Sequence, residues 1–414
     1  MTETSQRRIL LGVAGGIAAY KAAELLRRLK ESGHDVTVVP TDSALEFVGA
    51  PTWAALSGHP VATDVFTGAE SVPHVALGRR TDLVIVAPAT ADLLSRAAVG
   101  RADDLLTNCL LTATSPVLFA PAMHTEMWRH PATQANVRTL RDHGAVVIGP
   151  ASGRLTGADS GPGRLPEPAE LAAIAQAVLD RPDIAARAAA QDLSGVRVLV
   201  SAGGTREPID PVRFVGNSSS GLMGFALARA AALRGAEVHL VAANVELPAP
   251  AGTTVSAVRS TAELQQQMAK RAGEADIIVM SAAPADFRPA NVADAKIKKT
   301  SADQSLELRL VQNPDILAGL VSDRTDPRQV IVGFAAETAR TPEELVELGQ
   351  AKLARKRCDL LVLNAVGEGK VFGQADSEIR LLIDGQDPSE PLAGTKDLLA
   401  HHIWDAAGEL REHR

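Results

Sequence analysis

The chain has 414 residues, which is enough for two or three domains of about 150 residues with sizeable cores. Its formal net charge is −7, so the chain has no excess of basic residues that would indicate binding of nucleic acid. Hydrophobic residues make up 46% of the chain and aromatic residues only 3%, so we expect aliphatic cores of the kind found in sheets covered by helices.

The cysteine count and the hydropathy pattern indicate the compartment and whether the chain could enter a membrane. Cys109 and Cys358 lie in different halves and can form neither a disulfide framework nor a metal cluster, which suits a reducing compartment. The apolar run 9–14 is cut short by Gly15-Gly16 and Lys21, so it is neither a signal sequence nor a membrane span. We therefore expect a cytoplasmic protein without nucleic-acid or membrane partners.

The first half begins with a strand, a helix and a second strand. Apolar runs predict strands at 9–13 and 36–39, and apolar residues at helical spacing predict a helix between them. Further strands are predicted at 83–87, 117–120 and 145–148, and a helix at 168–179.

The second half repeats this beginning, with strands predicted at 196–200 and 238–242 around a helix near 221–234. Three more strands are predicted, at 276–280, 330–334 and 360–363. Parallel strands need such helical crossovers, so the fold class is α/β with two doubly wound Rossmann-like domains, whose ligands bind at the carboxyl ends of the strands.

The boundary between the domains is expected near residue 190. The sequence Asp180-Arg181-Pro182-Asp183 closes the helix at 168–179, and the alanine-rich stretch up to Gly195 is interpreted as a connector. The predicted domains are residues 1–190 and 191–414.

Polar residues fill a long loop between the strand at 196–200 and the next helix. Gly203-Gly204 allows close backbone approach, and Arg206, Arg213 and Asn217 with three serines supply donors for an anion at a helix N-terminus. The loop resembles the motif GGTxExxDPVRxxxNxSSGxMG of the nucleotide-dependent phosphopantothenate–cysteine ligase family.

The first half resembles flavin-dependent cysteine decarboxylases, including a flavodoxin-like fold. The matching segments, in the family's order, are GVAGGIAAYK (12–21), VPHVALGR (72–79), APATAD (87–92), PAMHTEMW (121–128) and GPGRL (161–165). The whole chain is thus similar to the bifunctional phosphopantothenoylcysteine decarboxylases / phosphopantothenate–cysteine ligases of bacterial coenzyme A biosynthesis.

The decarboxylase resemblance implies FMN, which supplies the electron chemistry that loss of CO2 from a cysteinyl carboxylate requires. His74 matches the family histidine and is predicted to be the base. Met123 and His124 are predicted to bind substrate. The residues predicted to bind FMN follow successive strands: Gly15, Gly16, Thr41, Ser43 and Thr90.

Three departures from the family pattern affect this half. His124 replaces the asparagine of PAMN, and Ala102-Asp103-Asp104 replaces an AND triplet. Gly157 stands where the family's flap has a cysteine, its proposed proton donor. His124 is therefore predicted to be the donor, with Asp159 as the alternative and Cys109 expected to be a core thiol that follows a helix.

The ligase resemblance implies activation of a carboxylate by CTP as an acyl-cytidylate, a step that needs charge neutralisation. Lys296 in KIKK (296–299) matches the family's key lysine, and Asn217 its residue for turnover of the acyl-nucleotide. Arg213 is predicted to contact substrate, and Asp286 to hold Mg²⁺. The remaining predicted nucleotide contacts are Ser281, Ala282, Asn313, Asp315, Phe334, Lys352 and Lys356.

The implied small-molecule partners are 4'-phosphopantothenate, cysteine and CTP. By resemblance, decarboxylase domains form trimers and ligase domains form dimers, so a homo-oligomer is expected, up to a closed dodecamer.

Two other functions are compatible with two α/β domains or with a flavin site. A nicotinamide-dependent oxidoreductase fails because neither glycine loop spells GxGxxG with the following acidic residue. A flavin-binding regulatory or scaffold protein with an inactive decarboxylase half is favoured by the departures at His124 and Gly157, and disfavoured by His74.

Overall fold

A computed structural model describes residues 6–63, 73–155, 159–298, 306–365 and 376–414. Gly157 and Lys299, which were singled out above, lie outside these ranges. The chain divides into two compact units, which are Met1–Asp192 with Pro250–Gly252 and Leu193–Ala249 with Thr253–Arg414.

The first unit is a parallel sheet with helices. Its strands are β1 (Arg8–Val13), β2 (Asp35–Pro40), β3 (Leu83–Ala89), β4 (Val117–Pro121), β5 (Val146–Val147), β6 (Ala151–Arg154) and β7 (Ser160–Arg164). Its helices are α1 (Ala19–Glu31), α2 (Asp42–Leu45), α3 (Ala50–Ser57), α4 (Pro73–Arg80), α5 (Ala91–Ala98), α6 (Leu105–Thr112), α7 (Thr125–Arg129), α8 (Pro131–Asp142), α9 (Pro168–Asp180) and α10 (Asp183–Ala190).

The main sheet of this unit has the order β2-β1-β3-β4-β5, with every neighbouring pair parallel. This is the flavodoxin-like order, in which the chain reverses direction across the sheet next to β1. Every residue of β3 is buried, as expected for a central strand covered on both faces. The predicted flavodoxin-like fold is confirmed, and β6 and β7 form a separate antiparallel hairpin.

The interpretation of the alanine-rich stretch as a connector was wrong. Residues Asp183–Ala190 form α10, and Ile184, Ala185 and Ala188 are buried on one of its faces. Alanine is the strongest helix former, and Asp183 places a negative charge in the first turn. The helix ends at Gln191 in the left-handed conformation, with φ of 50°.

The second unit contains twelve strands and five helices within the described residues. The strands are β8 (Arg197–Gly203), β9 (Arg206–Pro208), β10 (Phe214–Gly216), β11 (Glu237–Ala243), β12 (Thr253–Val258), β13 (Ile277–Met280), β14 (Phe287–Pro289), β15 (Leu310–Gln312), β16 (Val330–Glu337), β17 (Leu360–Ala365), β18 (Asp376–Ile383) and β19 (Leu392–Thr395). The helices are α11 (Leu222–Leu233), α12 (Thr261–Ala272), α13 (Ile316–Ser322), α14 (Pro342–Lys356) and α15 (Lys396–Glu412).

The large sheet of this unit has the order β12-β11-β8-β13-β16-β17-β18-β19. Its first six strands are parallel in the Rossmann order, which confirms the predicted fold, and β18 and β19 extend the edge in antiparallel fashion. Alternate residues of β8 enter different cores. Val198 and Val200 pack with α11 and α15, whereas Leu199 packs with α12 and α13.

Two short antiparallel ribbons belong to this unit as well, β9 with β10 and β14 with β15. No helix among the described residues of either unit has the length and apolar content needed to cross a bilayer.

Candidate functional site

Three strand-end loops meet in the first unit. A Cβ added at Gly15, after β1, would lie 2.3 Å from the Cβ of Ser43, so only glycine lets these two loops approach so closely. A Cβ at Gly16 would lie 3.7 Å from Cγ2 of Thr90, in the loop after β3. The structure therefore brings four of the predicted FMN residues to one edge of the sheet, where ligands of this fold bind.

Thr41 and Thr90 begin the helices that follow these strands. The hydroxyl oxygen of Thr41 accepts from the N–H of Ala44 over 3.3 Å, and that of Thr90 accepts from the N–H of Leu93 over 3.3 Å. Both residue types are thus explained by helix capping. Each hydroxyl can still donate its proton to an anion near the helix N-terminus.

Met123 and His124 follow β4 beside the β6–β7 hairpin. The N–H of Met123 donates to the carbonyl of Gly163 over 3.0 Å, and His124 is the exposed N-cap residue of α7. At the far end of the hairpin, the N–H of Leu155 donates to the carbonyl of Asp159 over 2.8 Å. Thr125, next to His124, contacts the hairpin at Gly161, where a Cβ would lie 2.6 Å from the threonine hydroxyl.

His74 lies in the first turn of α4, which packs closely on α6. Its carbonyl accepts from the hydroxyl of Thr112 over 2.9 Å, and a Cβ at Gly78 would lie 2.2 Å from that hydroxyl. The imidazole Nδ1 is buried and has no hydrogen-bond partner in the described ranges. Within the described residues, no hydrogen bond or ion pair joins His74 to Gly15, Thr41 or Thr90.

The Asp103-Asp104 departure forms an ion-pair cluster around Arg96. Arg96 contacts Asp103 at 2.9 Å and Asp104 at 2.7 Å, and Asp104 also caps α6 through Thr107. Burial alone would raise the pKa of Asp104, but the bonds from Arg96 and Thr107 outweigh it and hold that pKa below its ordinary value. The sequence did not single out Arg96, because an arginine four residues after Asp92 resembles an ordinary surface ion pair on a helix.

Cys109 is fully buried inside α6, so the expectation that it follows a helix was wrong and the expectation of a core thiol is confirmed. Burial, reinforced by the charge of Asp104, raises the pKa of this thiol to about 12.

A cavity of about 480 Å³ opens at the carboxyl ends of the parallel strands in the second unit. It gathers nine of the predicted ligase residues: Asn217, Ser281, Ala282, Asp286, Asn313, Asp315, Phe334, Lys352 and Lys356. Its size is in the range of sites for small organic ligands. Arg213 and Lys296 do not line this cavity.

Two lysines on one face of α14 carry ion pairs at this cavity. Lys352 donates to Glu337 over 2.8 Å, and Lys356 pairs with Asp315. Their common face was predicted from the i, i+4 spacing. Burial would raise the pKa of Asp315, but Lys356 and the N–H of Ala318 hold it below its usual range. A bound polyanion would compete with these carboxylates for the ammonium groups.

Three of the predicted contacts have polar groups that are already engaged. Ser281 donates to the carbonyl of Ser201 over 2.8 Å, and the N–H of Ala282 donates to the Ser201 hydroxyl over 3.1 Å. The amide of Asn313 donates to the carbonyl of Ala285 over 2.8 Å, and its oxygen accepts from Arg288 over 3.0 Å. These side chains fix the loops that form the cavity wall.

Asp286 is exposed at the cavity. Among the described residues, no group of three or more histidine, cysteine or acidic side chains could hold a metal. A Mg²⁺ ion bound by Asp286 would therefore take its other ligands from phosphate oxygens and water, which is how this ion is commonly held in nucleotide sites.

The cavity also contains residues that the sequence reasoning missed, namely Arg355, Asn364, Ser377 and Lys396. Lys396 is the first residue of α15, on the α11 side of the sheet, and is 7% exposed. Burial lowers its pKa, while the charge of Asp376 acts in the opposite direction. A lysine after a threonine N-cap gives no signal of burial in the sequence, so the fold alone reveals it.

Arg213 and the lysine segment meet at a second place in this unit. The Nη1 group of Arg213 donates to Asp210 over 2.7 Å and to the carbonyl of Ile297 over 3.1 Å. Ile297 separates Lys296 from Lys298, and both of these lysines are exposed. The two predicted residues Arg213 and Lys296 thus belong to neighbouring segments.

Comparison with known families agrees with the two units. The family model "Flavoprotein" matches residues 1–180, and the model "DNA/pantothenate metabolism flavoprotein C-terminal domain" matches residues 193–410. The chain is 55% identical to the coenzyme A biosynthesis bifunctional protein CoaBC of Mycolicibacterium smegmatis over 408 residues, covering 97% of both chains. The chain belongs to the CoaBC family.

Other CoaBC proteins match over similar lengths. That of Mycobacterium tuberculosis H37Rv is 56% identical, covering 97% of this chain and 96% of its own. That of Vibrio cholerae is 43% identical, covering 97% and 98%. Membership of the CoaBC family confirms the predicted bifunctional enzyme of coenzyme A biosynthesis with a decarboxylase and a ligase activity, and the nicotinamide-dependent alternative is not supported.

Proposed function

We propose that residues 191–414 join 4'-phosphopantothenate to cysteine with CTP, and that residues 1–190 decarboxylate the product to 4'-phosphopantetheine with FMN. The observation that carries this proposal is the cavity of about 480 Å³, in which nine residues matched to the ligase motifs converge. A fold alone would not specify these reactions, because function depends on the residues of the site.

In the ligase step, the carboxylate of phosphopantothenate attacks the α-phosphate of CTP and releases pyrophosphate. The protein's task is to neutralise charge on the triphosphate. We assign this to Lys296 together with Lys352 and Lys356. The two α14 lysines are held beside carboxylates in the structure, so they are already oriented at the cavity when the nucleotide arrives.

Asp286 would hold Mg²⁺, which would help to neutralise the charge of the nucleotide phosphates. Asn217 is assigned to the second half of the reaction, in which the amine of cysteine attacks the acyl-cytidylate. Arg213 is assigned to the acidic groups of the substrate. Because the Nη1 group of Arg213 is engaged with Asp210, its remaining N–H groups would make that contact.

In the decarboxylase step, the loops at Gly15, Gly16, Thr41, Ser43 and Thr90 would hold FMN, and the convergence of four of them supports this fit. Bound FMN supplies the electron acceptor for oxidation at the cysteinyl carbon. His74 is assigned as the base, since its buried Nδ1 is without a partner in the described part of the chain. His124 and Met123, at the end of β4, would bind the substrate.

We also propose that the protein assembles into a homo-oligomer, up to a dodecamer. The ribbons of the second unit and their connecting loops expose apolar side chains, with Val212 at 62%, Phe214 at 52% and Phe287 at 51%. Large apolar side chains grouped on a surface are typical of subunit interfaces. Free buried cysteines fit a cytoplasmic location.

The proposal is tested by incubating the purified protein with phosphopantothenate, cysteine, CTP and Mg²⁺ while following pyrophosphate and CO2 together. Both products should form in equal amounts, and ATP in place of CTP should support far less pyrophosphate release. A flavin absorbance spectrum without CO2 release from phosphopantothenoylcysteine would instead favour the scaffold alternative. Absence of both products from folded protein would contradict the proposal.

A further inference from the structure

The buried carboxylate of Asp210 links the DPVR segment (210–213) to the lysine segment (296–298) of the ligase unit. Asp210 is 2% exposed and accepts from the backbone N–H groups of Val212 and Arg213, each over 2.8 Å. Its second oxygen accepts from Nη1 of Arg213 over 2.7 Å and from the N–H of Ile297 over 3.1 Å. A single carboxylate thus satisfies donors from two loops that are 87 positions apart in sequence.

The other polar backbone group of Ile297 is held as well. The carbonyl of Ile297 accepts from Nη1 of Arg213 over 3.1 Å, so both polar groups of Ile297 bond to the Asp210–Arg213 ion pair. The N–H of Ala293 also donates to the carbonyl of Ile209 over 3.0 Å. These bonds fix the backbone between Lys296 and Lys298, although residues 296–298 have no regular secondary structure.

This anchoring matters because Lys296 itself is exposed, and its ammonium forms no hydrogen bond or ion pair with the residues that the structure describes. A flexible lysine stabilises charge in a transition state only if its backbone starts from a fixed point, since displacements of about 1 Å can cost about 100-fold in rate. The bonds of Ile297 to Asp210 and Arg213, with the bond of Ala293 to Ile209, provide that point.

We propose that Asp210 is a positioning residue for the ligase reaction, which acts by fixing the backbone from which Lys296 reaches the triphosphate. The inference rests on the proposed role of Lys296. Burial would raise the pKa of Asp210, but the N–H groups of Val212, Ile297 and Arg213 and the charge of Arg213 outweigh it and lower that pKa. The carboxylate therefore stays ionised throughout the neutral range.

The test is a double-mutant cycle on the full-length protein with Asp210→Asn, Lys296→Gln and the double variant. The readout is single-turnover pyrophosphate release from CTP and phosphopantothenate. We expect Asp210→Asn to slow the step at least about tenfold, and the double variant to be within about twofold of Lys296→Gln alone, because residues that act through one another are not additive.

Asp359→Asn is the matched control. Asp359 is also a buried carboxylate with several donors, including Arg324 and the N–H of Ile331, but it lies at the opposite end of the sheet, before β17. Any loss from this variant should multiply with that of Lys296→Gln. Thermal unfolding of every variant separates a general loss of folded protein from the coupling.

Limited trypsin digestion provides a readout that does not depend on activity. Cleavage after Lys296 and Lys298 should become faster in Asp210→Asn and stay unchanged in Asp359→Asn, because only the former releases the segment. If Asp210→Asn does not fold, Asp210→Glu displaces the same oxygens by one methylene and should show the same coupling and faster cleavage.

The outcomes separate two kinds of failure. If Lys296→Gln slows the step and the losses multiply in the double variant, Asp210 is merely structural and the inference is overturned while the proposed function stands. If Lys296→Gln has no effect, the proposed role of Lys296 fails and the inference fails with it.

Discussion

The side-chain amide of Asn217 donates to the carbonyl oxygen of Pro284 over 2.9 Å. This bond joins the end of the DPVR loop to the loop after β13, and both residues line the ligase cavity. Among the described residues, the Oδ1 atom of Asn217 has no hydrogen-bond partner. The amide is therefore oriented by the protein, with its acceptor left for a ligand.

This geometry predicts that Asn217→Asp uncouples the two halves of the ligase reaction. Aspartate cannot donate to Pro284 when ionised, and it brings a negative charge close to the activated acyl group. We expect pyrophosphate release to continue while amide synthesis falls by about 100-fold, a typical loss for one oriented polar group at a reacting centre. Mass spectrometry should detect accumulated acyl-cytidylate. Amide synthesis at the wild-type rate would remove Asn217 from the catalytic residues.

The two activities should be separable by single substitutions. Lys296→Gln should lower pyrophosphate release by about 100-fold or more and leave CO2 release from added phosphopantothenoylcysteine unchanged. His74→Asn should do the reverse, since an asparagine cannot serve as a base. The activity that each variant retains serves as a control that the variant is folded. Loss of both activities in either folded variant would contradict the assignment of one reaction to each domain.

Much of the fold follows from local patterns in the sequence. Central strands are rich in buried apolar residues, so β3 and β8 were predicted, at 83–87 and 196–200, although they extend further, to Ala89 and Gly203. The three-residue strands β9 and β14 were missed because so short a ribbon has no periodicity to detect. Helix α10 was mistaken for a connector because its alanines look the same in a flexible stretch and in a helix whose buried face needs small side chains.

In the site, too, a residue could be predicted where a local motif exists and was missed where its position depends on the fold. Predicted nucleotide contacts that rest on a motif match, such as Lys352 and Lys356, lie at the cavity. Lys396 was missed because its position depends on how α15 meets the antiparallel edge of the sheet, which no local pattern encodes. Asp210 was read only as part of a motif, and its bond to Ile297 joins segments whose proximity exists only in the folded unit.

Gly221 should not tolerate a side chain. It is the N-cap residue of α11 with φ of 77°, and an added Cβ would lie 2.6 Å from Val245. The free energy of unfolding of Gly221→Ala should therefore fall by at least about 1–2 kcal/mol, which is the cost of placing a residue with a Cβ in the left-handed conformation. Gly273→Ala is the matched control, because Gly273 has an ordinary φ of −69° and open space around it. Calorimetry should show a lower unfolding temperature for Gly221→Ala only; equal effects would contradict the geometric argument.

The two thiols should make folding stability fall at alkaline pH. Burial is the main cause that raises the pKa of Cys109 to about 12 and that of Cys358 to about 11, whereas an unfolded chain has a thiol pKa of about 8.5. Below that unfolded value both states are neutral and this contribution is fully present. As pH rises towards the folded values, only the unfolded state ionises, and the contribution is lost.

This dependence is measured by comparing wild type with the Cys109→Ser/Cys358→Ser double variant between pH 8 and pH 11. The difference in unfolding free energy should shrink as pH rises. A chromogenic thiol reagent at pH 8 should react with both cysteines only after denaturation, because the native thiols are buried and protonated. Rapid labelling of the native protein would contradict this account.

The proposed decarboxylase reaction would need a proton donor for the enethiolate of the substrate, and Gly157 has no side chain that could supply one. Cys109 is excluded as the donor by its burial within α6 and its pKa of about 12. Asp159, next to β7, is exposed and is the alternative donor. His124 is exposed at the end of β4, where an imidazole can hold the substrate carboxylate and then donate a proton once CO2 has left.

We therefore predict that His124→Asn releases CO2 but stalls with reduced flavin and unreduced enethiol, with product formation at least about 100-fold slower. Asp159→Asn is the matched control on the neighbouring hairpin and should turn over at nearly the wild-type rate. The measurement is anaerobic turnover with flavin absorbance and product followed in the same sample. If His124→Asn forms 4'-phosphopantetheine at the wild-type rate, His124 is not the donor; if Asp159→Asn alone stalls, the proton comes from the hairpin carboxyl group.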